Sequence, residues 1–406
     1  MATTAPQNAL PLAGLRVLEL GHIVAGPTAS LILADLGADV IKVENPDGGD
    51  QARRMPGAGS GYYYFNRNKR SVALDLKSPR GKAAFLALVR RADICLDNYA
   101  PGALDRLGLG YATLAAANPR LVHMAIKGFL PGPYEHRPSL DELAQMMGGL
   151  AFMTGPRGQP MRAGASVIDV GAATYGVIGV LAALRQREVT GEGQLITAGL
   201  FETSVYWVGQ WMAIAQLGGE PSSPMPEIRQ GQRMGWGVYR LFETADGDEL
   251  FIGITSNPHW DRFCAEFGLD ALHADPKYAD NRTRVANRNE LAARIAELVR
   301  TLGSEEAQQR LKKAGVPFAP LRRPDQLADD PQLNDAGQLM ATPMPDGSTA
   351  RLPKLPIKSD RIDMTLRRAA PRLGEHSEAV LTALGYSREE IERLIATGAV
   401  GVPPEE

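Results

Sequence analysis

The sequence predicts an α/β chain built on a parallel sheet, with a smaller α+β domain placed late. Three observations carry this. Short apolar runs alternate with segments of helical spacing from Arg16 to Ile126, as in a sheet covered on both faces. A Pro-rich stretch, Gly218 to Pro226, then interrupts the apolar pattern. A hairpin signal follows it, so strand pairing changes style. With 406 residues the chain exceeds one typical domain, which fits a two-part organisation.

The elements follow in order. Arg16–Leu20 reads as a strand ending at Gly21, and Ala25–Leu36 as a helix stopped by Gly37. Asp39–Val43 is a second strand, ending in Glu44. The pattern repeats with strand Ser71–Leu74, helix Pro79–Arg91, strand Ala92–Leu96 and strand Leu121–Ile126. Residues 170–186 are apolar nearly all round and rich in Ala and Gly, as in a closely packed core helix. Leu195–Leu217 reads as another buried segment. Val238–Thr244 and Glu249–Thr255 flank the turn Ala245-Asp246-Gly247-Asp248, and helices Arg288–Leu302 and Ser304–Lys313 follow. Near the end, Ser387 and Glu390 form a capping box opening a helix that Gly398 stops. The expected partition is a large domain of residues 1–217 plus 325–406, a linker at 218–229, and a small domain at 230–324.

Composition excludes several classes. Apolar residues at 44% and charged residues at 22% argue for a globular chain. A net charge of −2 gives no support to nucleic-acid binding. The longest apolar run, Val170 to Leu184, is too short to span a bilayer. Met1 to Leu15 carries no charged side chain and no long apolar core, which argues against a secretory signal or basic transit peptide. Cys95 and Cys264 make no metal or redox spacing, so the expected setting is a reducing cytoplasm. The six histidines form no zinc-type pair, no Gly-x-Ser-x-Gly elbow is present, and no Walker A loop is present.

Several stretches admit both a chemical and a plain structural reading. The turn Gly21 to Pro27 could cradle phosphate at a helix start, with Glu44 placed like a ribose-binding acid. It could equally be a tight βα turn. The cluster Asn66 to Arg70 could neutralise phosphate or be a solvated basic loop. Asp97-Asn98-Tyr99 and Lys127-Gly128-Phe129 follow strand ends, where open α/β sheets bind ligands. Asp141 and Gln145 sit four apart and share a helix face. Asp169 opens the core helix. It could be an N-cap, or a carboxylate kept ionised by the helix dipole and competent as a nucleophile.

Taken together, residues 12–20, 22–27, 36–44, 66–71, 101–108, 127–129, 164–169, 245–247 and 374–377 resemble, in order, the motifs of the class III CoA-transferases, the formyl-CoA and crotonobetainyl-CoA transferase type. The resemblance covers nearly the whole chain. It implies a Rossmann-like large domain built from both chain ends, an interlocked homodimer, and Asp169 as nucleophile. Coenzyme A and acyl-CoA enter as substrates, with no permanently bound cofactor and no metal. The resemblance assigns His22, Val24, Ala25, Asn98, Tyr99 and Arg106 to the CoA site, with Lys127 and Phe129 lining the same crevice. Arg106, together with Lys69 or Arg70, would face CoA phosphates. Two departures stand out. Asn45 replaces an arginine found in some members, and Gly231 to Gly237 only distantly resembles a glycine-rich lid. The racemase branch of the fold needs a histidine that aligns with Leu140, and leucine cannot take a proton. His136 could serve only by a shifted alignment. A non-catalytic CoA-binding module is the third reading. The expected chemistry moves CoA from an acyl-CoA, with succinyl-CoA as the favoured donor, to a small dicarboxylate. Arg137, Arg162 or Arg233 would be available for a distal carboxylate.

Overall fold

The computed structural model describes residues 10–57, 59–219, 221–230 and 235–403. Its strands are β1 Arg16–Leu20, β2 Asp39–Glu44, β3 Lys69–Leu74, β4 Ile94–Asp97, β5 Val122–Lys127, β6 Leu195–Gly199, β7 Val238–Glu243, β8 Glu249–Ile254, β9 Phe318–Pro320, β10 Leu339–Pro343, β11 Thr349–Pro353 and β12 Val400–Gly401. The chain divides into two compact units. One comprises Met1–Leu150, Arg162–Gln210 and Pro331–Glu406; the other comprises Ala151–Met161 and Trp211–Asp330.

In the first unit seven strands form one sheet in the order β12-β3-β2-β1-β4-β5-β6. All neighbours pair parallel except β12, which runs antiparallel to β3. The order β3-β2-β1-β4-β5-β6 is that of a doubly wound fold, so the strand order reverses between β1 and β4. The register places Val17 beside Val40 and Ile94. Alternation then sends side chains to opposite faces. Leu18, Leu20, Ile41, Val43, Val72 and Leu74 join one core with helix Pro79–Val89 and the C-terminal helices Ser377–Leu384 and Arg388–Ala396. Val17, Val40, Ile94, Leu96, Val122 and Met124 join the other with helices Ala25–Asp35 and Val167–Thr190. The capping box of Ser387 and Glu390 is formed. β10 and β11 add a separate antiparallel hairpin.

The second unit carries the antiparallel sheet β7-β8-β9. Its core gathers Phe242, Leu250, Trp260, Phe263, Leu291, Ile295 and Leu311 from the sheet and from helices Asn257–Phe267, Arg288–Val299 and Ser304–Ala314. The β7–β8 hairpin turns at Gly247, whose φ of 81° needs a residue without Cβ.

Three local expectations change. The core helix starts at Val167, so Asp169 lies within its first turn and Ser166 occupies the N-cap. Leu195–Leu217 is not one segment. It splits into β6 and helix Leu200–Gly218, much of whose apolar surface is exposed. Met225–Gln230 is helical inside the expected linker. The helix Val167–Thr190 is long and apolar enough to cross a membrane by composition, but half of its most apolar window is buried in the fold.

Small residues let this helix pack closely. A Cβ on Gly171 would fall 2.6 Å from the Trp207 ring and 2.9 Å from Thr203 Cγ2. Gly171→Ala gains about 1 kcal/mol of helix propensity but forces that contact apart, a cost of about 1–3 kcal/mol. A net loss of stability is therefore expected, measured as a lower midpoint in urea with unchanged m-value.

Candidate active site

The switch point between β1 and β4 sets the site. Both strands end at the same sheet edge, and the turns that leave them lie side by side. Asn98, after β4, bridges to the turn after β1. Its Oδ1 accepts from His22 N at 2.9 Å, and its Nδ2 donates to His22 O at 3.0 Å. The His22 and Tyr99 rings lie 5.7 Å apart. Burial lowers the proton affinity of His22, which favours the neutral imidazole, and raises Tyr99 to about 12. Val24 precedes helix Ala25–Asp35 and Ala25 begins it, so the helix N-terminus opens onto the same turn. Gly21 and Gly26 face each other so closely that a Cβ on Gly26 would meet Gly21 Cα at 2.6 Å.

Lys127, at the end of β5, is aimed by Asp97. Its ammonium donates to Asp97 Oδ1 at 2.5 Å and to Tyr99 O at 2.8 Å. His123 takes the other oxygen of Asp97 at 3.0 Å. Burial works against the Asp97 charge, but the His123 hydrogen bond and the Lys127 cation outweigh it and hold the carboxyl below its ordinary range. Thus His22, Asn98, Tyr99 and Lys127 are brought together by direct contacts. Phe129 is buried against Tyr134 and Phe201, so its ring belongs to an aromatic cluster. Arg106 is exposed and donates weakly to Pro101 O, at 3.4 Å.

Two expected phosphate ligands lie elsewhere. Lys69 is fully buried, and its ammonium is consumed by Glu19 at 2.9 Å, Asn66 at 2.8 Å and Pro27 O at 3.0 Å. Arg70 pairs with Asp39, the first residue of β2, at the opposite end of the sheet from the His22 turn. Glu44 is likewise no ribose acid. It is buried and saturated by Arg53, Ser71 Oγ and the Asp50 N–H. Position alone made these three look available. Only the folded chain shows which distant partner each of them meets.

Asp169 stands apart from every other carboxylate near this edge. The helix that carries it joins β5 to the parallel strand β6, so it too starts at the carboxyl edge. Its cap comes from another helix. Asp141 Oδ2 accepts from Ile168 N at 2.8 Å and from Asp169 N at 3.1 Å. Gln145 holds Asp141 Oδ1 at 2.5 Å and accepts from Ala163 N at 2.8 Å. The i, i+4 pair seen in the sequence is therefore an interhelical staple rather than a surface pair. The Asp169 carboxylate has no hydrogen-bond donor among the described residues. Burial, aided by the Asp141 charge, raises it to about 7. That opposes the expectation that the helix dipole keeps it ionised. Asp141 has already taken the N–H groups through which the dipole would act.

The remaining expectations are placed as follows. Arg162 pairs with Glu142 beside Ala163, and Arg137 stacks on the Tyr134 ring at 4.9 Å. Arg233 and residues 231–234 of the expected lid lie outside the described residues. His136 is exposed and pairs with Glu135, and Leu140 is exposed at the start of helix Asp141–Met147. Among the described residues there is no cluster of His, Cys, Asp and Glu suited to a metal ion.

Comparison with known proteins identifies the family. Residues 12–377 match CoA-transferase family III. The succinate–glutarate CoA-transferase of Agrobacterium fabrum is 34% identical, over 96% of this chain and 99% of that protein. A formyl-CoA:oxalate CoA-transferase of Rhodopseudomonas palustris is 33% identical, over 97% and 98%. Among solved structures, a CaiB/BaiF family protein from Brucella suis superposes with a TM-score of 0.85 at 31% identity, over 93% of this chain and all of that one. Rv3272 from Mycobacterium tuberculosis does so with 0.78 at 28% identity, over 92% and 99%. The chain belongs to CoA-transferase family III and is a CoA-transferase.

Proposed function

We propose that Asp169 is the nucleophile and that the acceptor is a small dicarboxylate, with succinyl-CoA as donor. The carrying observation is the isolation of the Asp169 carboxylate. It begins a core helix at the sheet edge where the His22, Asn98 and Lys127 turns meet, and no donor in the described chain occupies its oxygens.

The reaction divides into four balanced steps. An Asp169 oxygen attacks the donor thioester carbonyl, and the C–S bond breaks to give a mixed anhydride and CoA thiolate. The thiolate attacks the aspartyl carbonyl, releasing the donor acid and leaving an enzyme–CoA thioester. The acceptor carboxylate attacks that thioester, forming a second anhydride and again freeing thiolate. The thiolate then attacks the acceptor acyl carbon, giving the new acyl-CoA and restoring the Asp169 carboxylate. No proton or electron is gained or lost overall. Water must be kept out, because hydrolysis of either anhydride would waste the thioester. His22, Val24, Ala25, Asn98, Tyr99 and Arg106 are assigned to CoA, and Lys127 offers a cation toward a carboxylate or thiolate.

Two relatives support a dicarboxylate, since both are named for dicarboxylic acids. Arg162 and Arg137 are the candidates here for reading a distal carboxylate. An intertwined homodimer fits the outward apolar side chains Val170, Tyr175, Ile178 and Leu181 of the core helix, and Tyr206 and Trp207 beside them. A cytoplasmic setting fits the two buried free cysteines.

Turnover of succinyl-CoA in hydroxylamine should leave a hydroxamate at Asp169, located by peptide mass spectrometry. Asp169→Ala should abolish that adduct and cut transfer by about 1,000-fold or more. Full exchange by this variant, or epimerisation of a 2-methylacyl-CoA without CoA exchange, would discard the assignment.

The raised proton affinity fixes a pH dependence. Asp169 attacks as the carboxylate, so transfer should fall as pH drops through about 7. Asp141→Asn keeps an acceptor for the helix N–H groups but removes the like charge. It should move that acid limb to lower pH. The stability sign is opposite. The folded state holds this proton more tightly than the unfolded chain, so ionisation destabilises the fold between the ordinary value of 3.8 and about 7. Asp169→Asn should therefore stabilise the protein at pH 8 by about 2 kcal/mol, and hardly at all at pH 4. Thermal unfolding at the two pH values measures this.

A further inference from the structure

The turn that meets Asn98 contains a backbone irregularity. Ile23 has a φ of 63°, the left-handed region that a β-branched residue rarely enters. Glycine would adopt it freely, so something else must hold Ile23 there. The structure shows what does. Asp50 Oδ1 accepts from Ile23 N at 3.0 Å. Asp50 Oδ2 pairs with Lys42 Nζ at 2.9 Å, and Lys42 also donates to Gly21 O at 2.8 Å and to Glu19 at 2.7 Å. Glu19 in turn accepts from Ser30 Oγ of the following helix at 2.7 Å and from Lys69. Lys69 donates to Pro27 O. Glu19, Lys42 and Lys69 are wholly buried.

Alternation puts these three side chains on the sheet face covered by helix Ala25–Asp35, the face that also carries the apolar Val17 and Val40. Apolar residues of similar volume would stabilise this layer at least as well as buried ions. The ions do something an apolar core cannot. They reach up to the polar groups of the turn and hold them individually. Gly21 O ends on Lys42, His22 N and O end on Asn98, and Ile23 N ends on Asp50. The turn is fixed at three successive residues, and the start of the helix at Pro27 and Ser30. Burial alone would raise the Asp50 carboxyl, but Lys42 keeps it below its ordinary range, so the acceptor stays ionised.

We infer that Asp50 and Lys42 are positioning residues of the CoA site. They hold Ile23 in its left-handed conformation, so that His22 and the N-terminus of helix Ala25–Asp35 meet the CoA thioester in one orientation. Neither needs to touch the substrate. The inference rests on the assignment of the His22 turn to CoA made above.

The test uses the full-length protein, with CoA as the calorimetric probe and succinyl-CoA for kinetics. Wild type binding CoA tests the assignment of the turn; the variants test the positioning. Asp50→Ala should weaken CoA binding about tenfold and raise KM for the acyl-CoA more than it lowers kcat. Adding Ile23→Gly to that variant should recover most of the lost affinity, because glycine takes the left-handed conformation without being held. A purely structural role would lower Tm while leaving KM and CoA affinity of the folded fraction unchanged, and that result would overturn the proposal. So would a double variant no tighter than Asp50→Ala. If Asp50→Ala does not fold, Asp50→Asn keeps an acceptor for Ile23 N while losing the charge facing Lys42. It should bind CoA more weakly than wild type, and wild-type affinity would refute the role. A wild type that binds no CoA removes the site assignment, and this inference with it.

Discussion

The chemistry proposed for this sheet edge depends on one arrangement: two carboxylates compete for one helix start, and the one from the neighbouring helix wins. Asp141 takes the N–H groups of Ile168 and Asp169, so the first turn of the core helix is capped without using its own acid. An Asp in that turn would ordinarily fold back onto those groups and be stabilised as an anion. Displaced from them, Asp169 is left partly buried beside a second carboxylate, with its oxygens unengaged among the described residues. This is how a helix terminus, normally a sink for negative charge, comes to carry a carboxylate of raised energy. Gln145 completes the device by fixing Asp141 and Ala163 together, which fastens the loop before the core helix to helix Asp141–Met147.

The other acids near the edge show the contrast. Glu19, Glu44, Asp50 and Asp97 are as buried as Asp169 or more so, and burial pushes each of them upward too. In each case a facing Lys, Arg or His reverses the outcome, and the carboxyl stays below its ordinary range. Those four are structural anions with their lone pairs committed. For Asp169, among the described residues, the one charge that shifts the carboxyl is the like charge of Asp141. Perturbation in this direction, at the carboxyl edge of a parallel sheet, is what marks Asp169 out as the candidate for a reactive carboxylate.

Much of the fold was legible from periodicity because the parallel sheet is largely apolar and several of its helices stop at or just before a glycine, as at Gly37, Gly191 and Gly398. The strands from Arg16 to Ile126, the hairpin after Val238 and the box at Ser387 all appear where spacing put them. What escaped was whatever depended on register. Lys42 and Glu19 look like breaks in apolar runs. Only pairing of β1 with β2 turns them into a buried ion pair. Lys69 and Arg70 look like neighbours in a basic loop. Alternation sends one into the sheet toward Glu19, and the other lies beside Asp39, so neither faces the site. Asp141 and Gln145 were visible as a helical pair, but their target, another helix more than twenty residues on, was not. Local chemistry is readable along the chain. Partners contributed by distant segments are not, and at this site they decide which groups are free to react.

The polar layer beneath the His22 turn extends this point from partners to backbone shape. A sequence shows glycines where the chain must turn sharply, and Gly21 and Gly26 do mark such a place. It gives no sign that the residue between them needing the left-handed conformation is an isoleucine. That conformation is imposed from outside, by an acid 27 positions later whose own charge is kept by a lysine on the second strand. A turn shaped in this way is rigid because it is held against its own preference. Release of any one hold lets the backbone relax rather than merely loosen. Rigidity of that kind suits the proposed reaction, in which a thioester is met by a carboxylate and later by its own departed thiolate, since each return attack requires the leaving group to remain in place.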